Sequence, residues 1–379
     1  MGAMDKLSAH LKNRLVELTQ AKAQGRKIIG YTPGGYLPEE LVIAGGAIPV
    51  GFIRGGDHAM VELASAYLCR WMDTFCRGQI GYAVSGEDPY YNVIDVLVVP
   101  MTDNHIRAVM DVLDYNTDIE IFPYGIPHMK DELASDYYLK GIIRLKGKLE
   151  EMTGVEISDS RLSEAIDLCN RERALLKEIS LMRQVGFVPI SSRDFVALNH
   201  ASFLADKKVM VEVLEELVKE LKEGAASPDG GPRILLTGST LALGDNKIHD
   251  LVDEAGGVIV VEEFAEGIRP YWENVTPDGD LMAALADAYF KRRVPPAWFR
   301  PGKERLEFLV KLARDYKVDG VIWYQLMYRE SYKTESYYFP EILNRETGLS
   351  MLVLESDYDA AEVGQMRTRI ETFIESIGR

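Results

Sequence analysis

The three cysteines of this 379-residue chain are the side chains best suited to bind iron or to carry redox chemistry. Cys69 and Cys76 are seven residues apart in a segment, 63–84, whose pattern predicts a helix, so both thiols are expected on one face. An iron–sulfur cluster usually needs three or four thiolate ligands, and these two do not supply them. Cys169 falls in a second segment of helical periodicity, where a place in the core is the simpler interpretation. Spacing alone therefore favours structural cysteines over a metal site.

A glycine-rich turn, Gly34-Gly35-Tyr36, follows the first predicted strand and precedes a helix that begins near Pro38. Glycines let the backbone approach a ligand closely, and the N-terminus of a helix favours an anion. The turn matches neither the dinucleotide-binding glycine pattern nor the P-loop pattern, so it does not indicate a nucleotide. A tight turn without any ligand explains the same residues equally well.

Two polar residues, Thr102 and Asp103, come directly after a continuously apolar strand predicted at 91–100. Ligands of open α/β sheets lie beyond the carboxyl ends of the strands, so both residues are candidates for contact with a substrate or a subunit. The alternative is that Asp103 only caps the next helix. His105 has no second histidine at metal-ligand spacing, and the residues at 236–240 are typical of a helix entry. No residue is assigned as a catalytic acid or base.

The segment 324–338 contains five tyrosines together with Arg329 and Lys333, and it is predicted to run from a buried strand into a polar loop. An aromatic-lined cavity and an interface with another subunit are both consistent with this composition. Arg329 and Tyr337 are the residues of this segment for which contact with a substrate or a subunit is expected.

The elements that must position these residues alternate between strands and helices in both halves of the chain. We predict an N-terminal α/β domain with a leading helix at 1–130, a helical region at 131–223 and a C-terminal α/β domain at 224–379. The Gly-, Pro- and Ser-rich run at 224–232 is predicted to be a linker. Strands that alternate with helices imply parallel sheets. The expected fold class is therefore α/β, with two Rossmann-like parallel-sheet domains, loosely repeated, and an intervening helical region.

Composition excludes several classes of function. The formal net charge of −16 argues against a nucleic-acid partner, because binding to a phosphate backbone relies on clustered Lys and Arg. No apolar run reaches the roughly 20 residues that a membrane-spanning helix needs. The N-terminus lacks the apolar core of a signal peptide, and three cysteines are too few for a disulfide framework in a chain of this size. A cytoplasmic location is expected.

Several segments in the same order along the chain resemble the 2-hydroxyacyl-CoA dehydratase and benzoyl-CoA reductase family, specifically its smaller, beta-type subunit. They lie at 36–50, which includes Pro-Glu-Glu-Leu, at 95–103, at 319–322 and at 366–373. The resemblance implies a heterodimeric, oxygen-sensitive enzyme of anaerobic metabolism that acts on CoA thioesters. It also implies a homologous larger subunit as partner, and an ATP-dependent iron–sulfur activator protein that injects one electron. In such enzymes each subunit typically binds a cluster through three cysteines.

Carried over residue by residue, the resemblance leaves this three-cysteine site incomplete. Its first cysteine matches Cys69, with Cys76 as an alternative in a shifted register. Its second falls on Thr102 and its third on Arg329, neither of which is a suitable ligand for cluster iron. We therefore expect this chain to lack the usual [4Fe–4S] cluster, which the partner subunit would hold. A pocket containing Arg329 would instead suit a carboxylate, a phosphate or a neighbouring side chain.

Two kinds of function follow from the resemblance. The chain is expected to be a subunit of a radical acyl-CoA dehydratase or aryl-CoA reductase complex, the reaction being either 2-hydroxyacyl-CoA dehydration or ring reduction of the benzoyl-CoA type. The alternative is a cluster-free protein that binds acyl-CoA or acts as a scaffold, without redox activity. An unrelated doubly wound nucleotide-binding protein is the weakest interpretation, because the chain has no phosphate-loop fingerprint.

Overall fold

The first four strands of the computed structural model, which describes residues 2–184, 188–224 and 230–378, form one parallel sheet. Its order is β2-β1-β3-β4. The strands are β1 Ile28–Tyr31, β2 Ile48–Gly51, β3 Val96–Met101 and β4 Ile121–Gly125. The helices of this half are α1 Ala3–Ala23, α2 Glu39–Ala44, α3 His58–Leu63, α4 Thr74–Ser85 and α5 Asn104–Asn116. Because β1 and β3 are apolar and covered on both faces, their carboxyl ends are the natural place for polar residues.

Four long helices separate this half from the second sheet. They are α6 Glu132–Thr153, α7 Asp159–Met182, α8 Ser192–Leu204 and α9 Lys207–Glu223. Asp131 caps the start of α6 by accepting a hydrogen bond from the Ala134 N–H, and Gly154, with a left-handed φ of 68°, caps its end. Most of the predicted linker, residues 225–229, lies outside the described residues.

A second parallel sheet repeats the order of the first, as β6-β5-β7-β8. Its strands are β5 Arg233–Gly238, β6 Val258–Glu263, β7 Gly320–Leu326 and β8 Ser350–Ser356. The helices of this half are α10 Lys247–Glu254, α11 Leu281–Ala286, α12 Lys303–Asp315, α13 Glu330–Thr347 and α14 Val363–Ile377. Two parallel sheets with the same strand order confirm the predicted α/β fold class. Across the described ranges, every helix is too short or too polar to cross a membrane.

Helix α11 and the residues after it pack against the first sheet, although they follow the first two strands of the second in sequence. Phe290 and Phe299 share a buried apolar cluster with Tyr36 and Tyr138. The ring of Tyr36 stacks on that of Phe299 at a centroid distance of 5.8 Å. This return of the chain brings residues 293–299 beside the carboxyl ends of β1 and β3.

Two local predictions were wrong. Residues 63–84 are not one helix, because α3 ends at Leu63 and α4 begins only at Thr74. Asp73 caps α4 by accepting a hydrogen bond from the Cys76 N–H at 2.8 Å. Cys69 therefore lies exposed in the intervening turn while Cys76 is fully buried in the first turn of α4, so the two thiols do not share a helix face.

The segment 324–338 is likewise not a polar loop. It contains the end of β7, a short turn and then α13, which begins at Glu330. The turn is made by Tyr328, whose φ of 66° is left-handed, and Arg329 then occupies the N-cap position. The tyrosines divide accordingly, since Tyr324 and Tyr332 are buried whereas Tyr337 and Tyr338 are exposed on the helix.

Candidate functional site

Arg329 lies between two carboxylates at the meeting point of the two sheets. Its Nη1 donates a hydrogen bond to Asp103 Oδ2 at 3.0 Å, and its Nε is 3.2 Å from Asp73 Oδ2. The second contact is an ion pair that is not aligned as a hydrogen bond. The guanidinium also lies over the rings of Trp298 and Tyr332, at 5.2 and 5.8 Å. A buried cation is thus held by two anions and two aromatic faces.

Both carboxylates are held in place by the helices that they cap. Asp103 Oδ1 accepts hydrogen bonds from the N–H groups of His105 and Ile106, at 2.8 and 3.1 Å. Asp73 caps α4 in the same way and is fully buried. His105 joins the two caps, because its Nδ1 accepts a hydrogen bond from the Asp73 N–H at 3.1 Å. Its Nε2 is 3.0 Å from Glu330 at the start of α13. The predicted capping role of Asp103 and its contact with Arg329 therefore coexist.

The charges of this cluster stabilise one another. Burial disfavours the charged guanidinium, but Asp103 and then Asp73 outweigh this effect and hold the pKa of Arg329 above its usual value. Burial alone would raise the pKa of Asp103, yet Arg329 and the Ile106 N–H lower it overall. Burial, together with nearby Asp73, raises the pKa of the Cys76 thiol. Formation of the Cys76 thiolate is therefore disfavoured in this buried position.

A small cavity of about 30 Å³ lies between the carboxyl ends of the two sheets. The first half contributes Gly34 and Thr102 to its lining, and the second contributes Thr240, Glu266 and Arg329. Glu266 is buried and accepts a hydrogen bond from the Leu241 N–H at 3.3 Å. Burial raises the pKa of Glu266 to about 7. A cavity of this size can hold one or two water molecules, so the site combines a proton-exchanging carboxyl with a fixed cation.

An open cleft of about 610 Å³ adjoins this cavity at the carboxyl ends of β3 and β4. Thr102 lines both spaces, and its carbonyl oxygen accepts a hydrogen bond from His128 Nε2 at 2.7 Å. The walls of the cleft include the exposed apolar side chains of Met129, Leu133 and Tyr137. A concave, mainly apolar cleft of a few hundred cubic ångströms with polar groups at one end is typical of a small-molecule site.

The structure brings together part of the residue set predicted from sequence. Thr102, Asp103, Arg329 and Gly34 meet at the small cavity and the ion pairs beside it. Gly35 instead faces a second cavity near Arg293, and Tyr36 is buried in the core. Two other candidates lie apart from this group, Tyr337 on the exposed surface of α13 and Cys69 in an exposed turn, and the candidate Cys76 is buried in α4.

The sequence analysis missed Asp73, Glu266 and Trp298. Asp73 was assigned to the interior of a helix, where an acidic residue gives no sign of being a cap. Glu266 follows β6 by three residues, and the rule that ligands lie beyond strand ends could have identified it. Trp298 reaches the site only because the chain returns to the first sheet, and a sequence pattern does not reveal such a return.

The residues present do not fit an iron–sulfur cluster. Across the described ranges, no three His, Cys, Asp or Glu side chains are grouped so that they could hold a metal ion. Arg329 has no lone pair to offer, and the Thr102 hydroxyl already donates a hydrogen bond to Asp103 at 3.2 Å. Cys76 packs into an apolar cluster, which leaves Cys69 as a single exposed thiol.

Comparison with known proteins gives consistent matches over nearly the whole chain. A family model described as 2-hydroxyglutaryl-CoA dehydratase, D-component, matches residues 35–377. The chain is 26% identical to a putative dehydratase subunit, YjiM, of Escherichia coli K12, over 98% of this chain and 97% of that protein. It is 24% identical to the (R)-phenyllactyl-CoA dehydratase beta subunit of Clostridium sporogenes, over 93% and 92%. It is 22% identical to a benzoyl-CoA reductase subunit of Thauera aromatica, over 79% and 77%.

Proposed function

Because the chain belongs to the 2-hydroxyglutaryl-CoA dehydratase D-component family, we propose that it is a subunit of an acyl-CoA dehydratase or aryl-CoA reductase complex that holds no iron–sulfur cluster of its own. The family predicted from sequence is thereby confirmed. In this proposal the [4Fe–4S] cluster belongs to a homologous larger subunit, and an ATP-dependent activator protein reduces it. The substrate is a CoA thioester, as the names of the relatives suggest.

The observation that carries the proposal is the double ion pair of Arg329 with Asp73 and Asp103. A cluster held by thiolates is anionic. To seat one at this place, Arg329 would have to leave, and two buried carboxylates would then face the incoming negative charge. Removing one partner from a buried ion pair costs about 3–5 kcal/mol even before such repulsion is added. The charges of this chain therefore oppose a cluster, in addition to the missing ligands.

The cleft next to Thr102 is the surface that this subunit offers to a substrate. Its apolar walls suit an acyl group or the pantetheine arm of CoA. Arg107 also lines it, and its exposed guanidinium, 3.6 Å from Asp111, gives the cleft a cation for the anionic part of the ligand. His128 fixes the backbone at Thr102, where the cleft meets the buried cavity that contains Glu266 and Arg329. In this arrangement the chain binds and orients the thioester and excludes water from one side of it.

Iron and acid-labile sulfide analysis of the anaerobically purified chain tests the absence of a cluster. We expect less than one iron per chain for the wild-type protein and for Cys69→Ser, which serves as its matched control. About four irons per chain that are lost in Cys69→Ser would refute the proposal.

Co-purification under anaerobic conditions distinguishes the subunit from the alternative function. A cluster-containing homologous subunit that elutes with this chain in equal amount supports the proposal. A colourless homo-oligomer that binds acyl-CoA and recruits no such subunit would instead support a binding protein or scaffold without redox activity.

A further inference from the structure

Arg293 is a buried arginine whose guanidinium has no carboxylate partner among the described residues. Its side chain is 7% exposed and makes no hydrogen bond or ion pair within that part of the chain. The guanidinium carbon lies 4.6 Å from the centroid of the Tyr289 ring. Burial lowers the pKa of Arg293, and the neighbouring Tyr289, Tyr138 and Tyr36 offset this effect only in part. A buried cation without a counter-ion is costly, and the cost calls for an anion.

The acidic residues around Arg293 are already engaged by other cations. Glu40 accepts a hydrogen bond from Arg173 at 2.7 Å, and its other oxygen accepts one from the Tyr289 hydroxyl at 2.8 Å. Lys207 is 2.7 Å from Glu39 and 2.8 Å from Glu172. Arg173 and Lys207 are thus paired with carboxylates, whereas Arg293 contacts none among the described residues.

Glu172 is the carboxylate that would most oppose an anion here. It lines the same cavity as Arg293, and its Oε1 is buried without a hydrogen-bond partner among the described residues. Burial raises the pKa of the Glu172 carboxyl. Lys207 lies 2.8 Å from the other oxygen of Glu172 and, with Arg173 and Arg293 in the same lining, offsets the charge of this carboxylate.

The cavity itself has the size and lining of a small-anion site. Its volume is about 50 Å³, several times what one water molecule needs. Its polar lining includes Tyr31, Lys207 and Tyr289 in addition to Arg293 and Glu172. An anion of one to three heavy atoms fits this space, whereas a phosphate ester does not.

Gly35 allows the guanidinium to reach this position. A β-carbon added at Gly35 would lie 2.3 Å from Arg293 Nη1, and the φ of +80° at Gly35 also disfavours any other residue. The guanidinium therefore packs directly on the backbone of the glycine-rich turn after β1. The turn thus has a use other than nucleotide binding, which its sequence pattern did not indicate.

We propose that Arg293 holds a small monovalent anion, of the size of a halide or formate, in the cavity beside Gly35. The inference is independent of the proposed function, because it concerns a separate cavity and requires no partner subunit. Either a free ion or the carboxylate end of a bound small molecule could supply the anion, and the two sources share this chemistry.

The first test uses the wild-type protein. Crystals soaked in sodium bromide should show an anomalous scattering peak within hydrogen-bond distance of the Arg293 guanidinium. A well-ordered Arg293 with no peak beside it would overturn the proposal. Because no variant is involved, this measurement does not depend on whether substitutions at Arg293 allow folding.

The second test measures unfolding by urea while sodium gluconate is replaced by sodium formate at constant ionic strength. Gluconate is too large for the cavity, so only formate should bind. A tenfold excess of formate over its dissociation constant should raise the folding equilibrium constant about 11-fold. Arg293→Met should abolish this rise. Arg292→Met is the matched control, because Arg292 is partly exposed, pairs with Asp287 and Glu273, and should leave the rise intact.

Three outcomes of the formate experiment contradict the proposal. Wild-type stability could be the same in both salts, Arg293→Met could show the same rise as wild type, or both arginine variants could lose it together. A competition experiment distinguishes the two sources of the anion. If a short-chain acyl-CoA with a free terminal carboxylate competes with formate and bromide, the carboxylate end of a bound ligand supplies the anion. If it does not compete, the site holds a free ion.

Discussion

Substitution of Arg329 by methionine should destabilise the protein strongly and in a pH-dependent way. Methionine preserves the length and much of the apolar volume of the side chain but removes the charge. Asp73 and Asp103 would then remain as two carboxylates without a counter-ion, and their side chains are 0% and 13% exposed. Loss of one partner from a buried pair costs about 3–5 kcal/mol, and here both anions lose the same partner. Since each still accepts backbone hydrogen bonds as a helix cap, we expect a loss of about 4 kcal/mol near pH 8.

The pH dependence follows from the lowered pKa of Asp103 in the folded protein. A carboxyl whose pKa is lowered by folding contributes stability above its unfolded value of about 4, and this contribution is lost as the pH falls through the folded value. In the Arg329→Met variant this contribution is absent at every pH. The difference between the two proteins should therefore be largest above about pH 5 and should shrink as Asp103 becomes protonated.

Urea unfolding followed by tryptophan fluorescence and by circular dichroism measures this difference. Trp298, one of four tryptophans in the chain, lies against Arg329, whereas circular dichroism reports on all helices. Coincidence of the two transitions is required before a single free energy is assigned. Arg193→Met is the control, because Arg193 pairs with Asp250 on the surface and its removal should cost no more than about 1 kcal/mol.

The reasoning is refuted if Arg329→Met costs no more than the control. It is also refuted if the cost is unchanged when Asp73→Asn and Asp103→Asn are already present. Asparagine caps a helix about as well as aspartate, so these two substitutions remove the charges and keep the caps. In their background, Arg329→Met should be nearly neutral.

Three further predictions concern other residues. Glu266→Gln should stabilise the protein at pH 8 by on the order of 3 kcal/mol and have little effect below pH 4. Because folding raises the pKa of Glu266 to about 7, its ionisation above the unfolded pKa lowers the stability of the wild-type protein, and glutamine does not ionise. Equal effects at both pH values in urea unfolding would contradict this. His249→Asn should reduce the loss of stability that occurs as the pH falls from about 6.5 to 4. Burial lowers the pKa of His249 to about 4, so in this range the unfolded chain binds a proton at His249 that the folded protein does not. An acid transition that is the same in both proteins would contradict this. Leu133→Asp in the open cleft should weaken acyl-CoA binding about tenfold, as measured by calorimetry. Tyr115→Asp, on an exposed helix surface outside the cleft, should leave binding unchanged. Equal losses of affinity in the two variants would show that the cleft is not the binding surface.

The parallel sheets could be predicted from the sequence because their signals are local. Continuous apolar runs such as 96–101 define buried strands, and the alternation with helices fixes their parallel direction. The positions of Thr102 and Arg329 at strand ends followed from the same rule. Which strand ends face each other is a different matter. The contact between Arg329 and Asp73 joins two distant parts of the chain, and it depends on how the two sheets are docked, which no local pattern encodes.

Local predictions failed where a cap interrupts a helical pattern. The apolar spacing of 63–84 continues through the turn at Cys69, but Asp73 begins a new helix by capping it with its side chain. A left-handed residue at Tyr328 had a similar effect before α13. Arg293 had no signal at all, because a buried arginine without a carboxylate partner looks in the sequence like any exposed one.

If the chain holds no cluster, as we propose, the position of Arg329 also explains how the two halves of the fold are joined without one. The three positions on which the resemblance predicts the family's cysteines to fall come from both halves of the chain, Cys69 and Thr102 from the first and Arg329 from the second. A cluster bound by all three would link the two halves through metal. In this chain Arg329, which follows β7, is instead ion-paired to Asp73 and Asp103, which precede α4 and α5. The two halves are thus joined by charge at this point, and under the proposed function the ion pairs of Arg329 take the structural part that a shared cluster would have.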